Sequence, residues 1–126
     1  MPQSTRDLPG LADDLNLVVV RGTLSSDPVR RELPSGDVIH TYEVTVRRSE
    51  GRADTVPVAR TGERAPDLAA GDAVVVTGVV RRRFFRAGGA TASRTEVIAD
   101  HVIPARHSGR AATAVGRALT PLFDDG

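Results

Sequence analysis

The stretch Ala73–Phe85 restricts the fold more than any other part of this chain, because it sets Val74-Val75-Val76 and Val79-Val80 on either side of Gly78. Valine loses rotamer freedom against the turns of a helix but stands freely on a pleated surface, so a run this rich in valine reads as a strand. A strand needs partners, and the sequence supplies similar short segments between proline and glycine punctuation. Leu15–Leu24 is apolar and valine-rich, and Val29–Leu33 continues it beyond Asp27-Pro28. Pro34-Ser35-Gly36-Asp37 has the chemistry of a tight reversal. Val38–Arg47 then alternates, with His40, Tyr42, Val44 and Val46 on the core side and Thr41, Glu43, Thr45 and Arg47 on the other. Asp54–Arg60 is a weaker strand whose Pro57 belongs at an edge or a bulge.

Between that third strand and Ala73, residues Thr61–Ala70 have room for one helical turn, limited by Pro66 and ended by Gly71-Asp72. Gly88-Gly89 marks a turn after the fourth strand, and Thr95–Ile103 returns as the fifth. Five strands with a connector between the third and fourth predict an all-β fold: a small closed sheet such as a five-stranded Greek-key barrel, or else a sandwich. Closure would let 126 residues with four aromatics bury valine without leaving long edges. Residues 1–14 read as a flexible tail, 15–105 as the single domain and 106–126 as a partly helical tail. In that last segment Ala111, Val115, Ala118 and Leu122 recur at helical spacing, ending near Pro121.

The chain has no cysteine, no apolar run near the roughly 18 residues of a membrane span, and no leader-like start, which together predict a cytoplasmic protein. Catalytic chemistry has little to work with. His40, His101 and His107 lack metal-ligand spacing, and no serine sits in a nucleophile elbow. Gly88-Gly89 is not followed by the Lys-Ser/Thr of a phosphate loop. No enzyme, metal or cofactor is expected.

All 17 basic residues are arginine, yet net charge is only +1, so position matters more than total. Gly78–Thr95 carries Arg81, Arg82, Arg83, Arg86 and Arg94 without one acid. In extended geometry Arg81, Arg83 and Phe85 project to one side, so guanidinium groups could hold phosphates while an unstacked base lies on the ring. The other reading of the same residues is a solvated hairpin whose Phe84 or Phe85 plugs the barrel rim.

Four stretches in order resemble the bacterial single-stranded DNA-binding protein family: Asn16–Pro28, the Pro34–Gly36 hairpin, Gly71–Gly78 and Thr95–Val97. The resemblance spans about Leu15–Pro104, and its most specific parts are Gly22–Pro28 and the Gly71-Asp72 entry to the fourth strand. It implies an OB-fold barrel with a short helix between strands three and four, assembly as a homo-oligomer (tetramer or dimer), and single-stranded DNA as partner. By the same resemblance Arg81, Arg83 and Phe85 match DNA-contacting positions and Thr41 can face the strand; Arg47 and Arg86 complete the expected single-strand-binding residues. Independently of the resemblance, Leu17 and Val19 on the outer parity of the first strand could meet a second subunit if the barrel closes. The chain departs from the family where Glu50, Thr55 and Thr61 replace aromatic platforms and where Glu43 replaces a small polar residue. Its end, Leu122-Phe123-Asp124-Asp125-Gly126, reverses the family's order of acids and aromatic, so recruitment of repair proteins through that tip is not implied. The function expected is sequence-tolerant binding of single-stranded DNA in replication, repair or recombination. The alternative is an interaction or oligomerisation barrel that lost its stacking platforms.

Overall fold

The computed structural model describes residues 8–123. Its strands are β1 (Val18–Leu24), β2 (Val29–Glu32), β3 (Val38–Arg47), β4 (Ala53–Thr61), β5 (Ala73–Ala87) and β6 (Ala90–Pro104), followed by helix α1 (Ser108–Leu119). They form one sheet in the order β1-β5-β6-β4-β3-β2, and a further pairing of β1 with β3 closes a ring. Every pairing is antiparallel except β4 with β6. The ring encloses Leu24, Tyr42, Val44, Val58, Val74, Val76, Val97 and Val102, drawn from all five of its strands. Each fully buried valine contributes about 1.5–3 kcal/mol of transfer free energy.

The expected first strand is two strands, not one. Pro28 has no N–H to give a ladder, and the Asp27 carboxylate accepts the Ala70 N–H at 2.8 Å. Ser25 reaches across to β3, its N–H and hydroxyl both donating to the Glu43 carbonyl at 3.0 and 3.2 Å. The bend lets β1 pair with β3 through Thr23↔Thr45 and Leu24↔Val44, while β2 pairs farther along, Val29↔Thr41 to Glu32↔Val38. Gly22 sits where β1 swings across to β3, and a Cβ there would strike the Thr45 carbonyl oxygen and lie 2.8 Å from the Val44 side chain.

The helix expected between the third and fourth strands does not form; residues 62–72 are irregular and turn. Pro66 interrupts the segment, and side chains take N–H groups that a helical turn would bond to carbonyls four residues back: Ala69 donates to Asp72 Oδ2 at 2.9 Å and Ala70 to Asp27. Leu68 drops into the core. The segment also ties the two most specific stretches together, since the Gly71 N–H donates to Leu24 O at 2.8 Å and the Leu24 N–H to Asp72 O at 2.9 Å.

The C-terminal helix does form where its periodicity placed it. Ala111 and Ala114 are buried against Val75 and Ile103 on the outside of the ring, with Val115 alongside. Small side chains let the helix lie close to the sheet. After Leu119 the chain makes a 3₁₀ turn, Thr120–Phe123, which meets another at Pro9–Ala12; a Cβ on Gly10 would run into the Pro121 carbonyl. The expected tail therefore gains local structure at Pro9–Ala12, whereas its first seven residues and the Asp124–Gly126 tip lie outside the described residues. Among the described residues no helix is long and apolar enough to cross a membrane.

Candidate nucleic-acid interface

β5 and β6 are each 15 residues long, so their hairpin reaches beyond the ring. The turn has φ of 58° at Gly88 and 84° at Gly89, the left-handed pair that a two-residue hairpin connection requires. β6 starts at Ala90 rather than Thr95, because residues 90–94 are small or polar and carry no apolar alternation to reveal a strand. β4 pairs with β6 through Val58↔Val97 and Ala59↔Ile98, so nearer the tip the hairpin has no strand beside it among the described residues. Every residue from Val80 to Thr91 is exposed. Asn16 secures the root: its Nδ2 donates to Val80 O and its Oδ1 accepts the Val80 N–H, both at 2.8 Å.

Register divides the arm into two faces. On one, Arg81, Arg83 and Phe85 stand opposite Glu96, Arg94 and Ala92; on the other, Arg82, Phe84 and Arg86 stand opposite Thr95, Ser93 and Thr91. Alternate residues on a strand are roughly 6.6 Å apart, so each face is a short ladder of positive charge and ring.

The first face is partly neutralised. The Glu96 side chain is only 8% exposed and lies 3.5 Å from Arg83 Nε and 4.0 Å from Arg94 Nε. Arg94 Nη2 also reaches Glu43 Oε1 at 3.3 Å. Arg81 has no ion pair among the described residues.

Among the described residues no acid pairs across the second face. The Arg82 guanidinium lies 5.3 Å from the centroid of the Phe84 ring and donates to the Ser93 hydroxyl through Nε at 3.2 Å and Nη2 at 3.1 Å. Arg86 Nη2 donates to Gly89 O at 3.3 Å. Phe84 is 65% exposed and Phe85 43%, so the ring chosen from the sequence is the more covered of the two. Alternation alone could not rank the faces, since both contain two arginines and a phenylalanine. The deciding residue is Glu96, on the other strand.

The remaining expected site residues scatter. Thr41 is half-buried on the outside of β3, in a row with Ala59, Ile98 and Val79 that leads toward the arm. Arg47 lines a shallow depression with Thr23, Ser25 and Thr45 on the β1 side, away from the hairpin. Arg86 shares the hairpin but faces away from Arg81 and Arg83. Glu50, Thr55 and Thr61 are exposed. Among the described residues no three His, Asp or Glu side chains group so as to hold a metal ion.

No family model matches the chain, and no curated protein matches it. What the arrangement can do chemically is hold an extended polyanion along the arm while an aromatic ring meets an unstacked base.

Proposed function

We propose that the protein binds single-stranded DNA without sequence preference and without catalysing a reaction, on an OB-fold Greek-key barrel like that of the bacterial single-stranded DNA-binding proteins it resembles. The ring order β1-β3-β4-β6-β5 and the long β5–β6 arm support that fold. The observation that carries the function is the exposed face of Arg82, Phe84 and Arg86, which among the described residues has no carboxylate paired to it that would compete with phosphate. Arg81, Arg83 and Phe85 extend the grip around the arm, and Thr41 adjoins its root. The setting is DNA replication, repair or recombination in the cytoplasm. Assembly as a dimer or tetramer would use Leu17 and Val19, the latter 40% exposed on β1.

A titration of fluorescent oligo-dT across a salt series tests the reading. Log affinity should fall linearly with log salt, at a slope of about −0.7 per phosphate contacted. Arg81→Ala with Arg82→Ala should flatten the slope. Phe84→Ala should weaken binding by about 1–3 kcal/mol with the slope unchanged, and Phe85→Ala by less. The engagement of Arg83 and Arg94 by Glu96 and Glu43 favours a second reading, a barrel that joins protein partners or its own copies. Absence of oligonucleotide binding at low salt would select it.

A further inference from the structure

A cleft of about 340 Å³ opens between the 62–72 connector and the start of α1, over the end of β6. Arg60, Arg64, Arg106, Arg110, His101 and His107 line it, and among the described residues Asp67 is its one carboxylate. None of these four arginines has an ion pair among the described residues, although Arg30, Arg48, Arg83 and Arg94 elsewhere do. The bonds that Arg60 and Arg106 make go instead to backbone carbonyls. Arg60 donates to Asp100 O at 3.3 Å and Arg64 O at 3.2 Å, Arg106 donates to Asp67 O at 3.3 Å, and Arg110 Nη1 lies 3.5 Å from His107 Nδ1.

A carbonyl fixes a guanidinium in place but leaves its charge uncompensated, and each guanidinium has five donors, most of them still unused here. Four such charges brought together in a concavity repel one another and concentrate positive potential, which an anion relieves. Guanidinium forks match phosphate oxygens in particular. The shape also favours a chain of phosphates over a single one. A second groove shares His101, Ile103 and Arg110 with the cleft and continues along α1 past Thr113 to Arg117.

We propose that this cleft is a second phosphate-binding site, which takes the backbone of the same single strand after it leaves the β5–β6 arm. The proposal rests on the reading of that arm as a DNA-binding surface. Arg94 and His101 are seven residues apart on one strand, roughly 23 Å, and Ile98 lies between them on the outer side of the sheet. Only a strand long enough to cover that interval engages both sites.

The test compares oligo-dT of about 4 and about 16 nucleotides, the limits of what one such barrel occupies. The parent, the triple variant Arg64→Gln/Arg106→Gln/Arg110→Gln, and the helix-surface pair Arg110→Gln/Arg117→Gln are each titrated across salt. Thermal melts show that each variant is folded, and the milder pair keeps the test valid if the triple does not fold. For the short oligomer all three proteins should bind alike. For the long one the parent should show the steepest slope, and the triple variant should lose about 2 units of it, at about 0.7 per phosphate released. Identical slopes for parent and folded variants on the long oligomer overturn the second site while leaving the arm's role intact. Failure of the parent to bind either oligomer overturns the DNA-binding reading itself, and the second site with it. Saturation with inorganic pyrophosphate that leaves long-oligomer binding unchanged overturns the second site alone, because the cleft then serves a free anion.

Discussion

Glu96 sets the charge of the hairpin's first face. Its carboxylate lies within 4.0 Å of both Arg83 and Arg94, and Glu43 engages Arg94 from β3. Arg94 and Glu43 are both about half exposed, so their pair holds little stability, on the order of 0–1 kcal/mol, whereas Glu96 is 8% exposed and meets its arginines from beneath. These pairs weaken the grip on a phosphate, since a guanidinium already facing a carboxylate gains less from a second anion. Glu96→Gln keeps the shape and removes the charge. It should tighten oligo-dT binding and steepen the salt slope by about 0.7–1.4, one or two further phosphates. Weaker or unchanged binding would mean that DNA does not use this face. The sequence showed the five arginines and both rings of the arm, but it could not show that an acid two residues past Arg94 turns under Arg83, because strand register across a hairpin is a tertiary fact.

At the scale of elements, legibility followed the physics of each signal. β3 was plain because its burial alternates residue by residue, and α1 because apolar residues recur along one side. The full hairpin was not, since an arm with no core to face has no apolar alternation to show. The connector read as a helical turn resolved the other way: two aspartates, one of them 43 residues distant, took its N–H groups. The same long-range substitution of side chain for backbone holds the arm. Asn16 pairs with both polar groups of Val80, as a neighbouring strand would. Asn16→Ala returns those groups to water and removes two hydrogen bonds, worth about 0.5–1.5 kcal/mol each. The expected outcome is faster amide exchange at Val80 and the first arm residues, with protection at Val74–Val76 unchanged. Exchange at Val80 equal to the parent's would show that the clamp contributes nothing to the arm's order.

For the whole molecule, closure of the ring places Tyr42 at the centre of the core, 2% exposed, with no partner for its hydroxyl among the described residues. Such a group costs stability even while neutral, because water no longer solvates it. Ionised, it costs more. Burial pushes the phenol's pKa above its ordinary value, and the positive charge of Arg60 opposes that shift only in part. The unfolded phenol titrates near 10, so as pH rises the unfolded chain releases its proton first and binds fewer protons than the folded one. Stability contributed by the neutral buried phenol is thus complete below about pH 10 and is lost as pH climbs through the higher folded value. Tyr42→Phe keeps the ring that Leu24, Val44 and Val58 pack around and deletes the hydroxyl. Near neutral pH the variant should be as stable as the parent or more so by about 1 kcal/mol, the lower end of the cost of an unpaired buried polar group. Urea melts at about pH 8 and about pH 11, on either side of the phenol's ordinary value, should then diverge, the parent losing stability and the variant losing less. Parallel losses in the two proteins would place the alkaline weakness outside the core, and a variant less stable than the parent at pH 8 would mean that the hydroxyl is satisfied in solution.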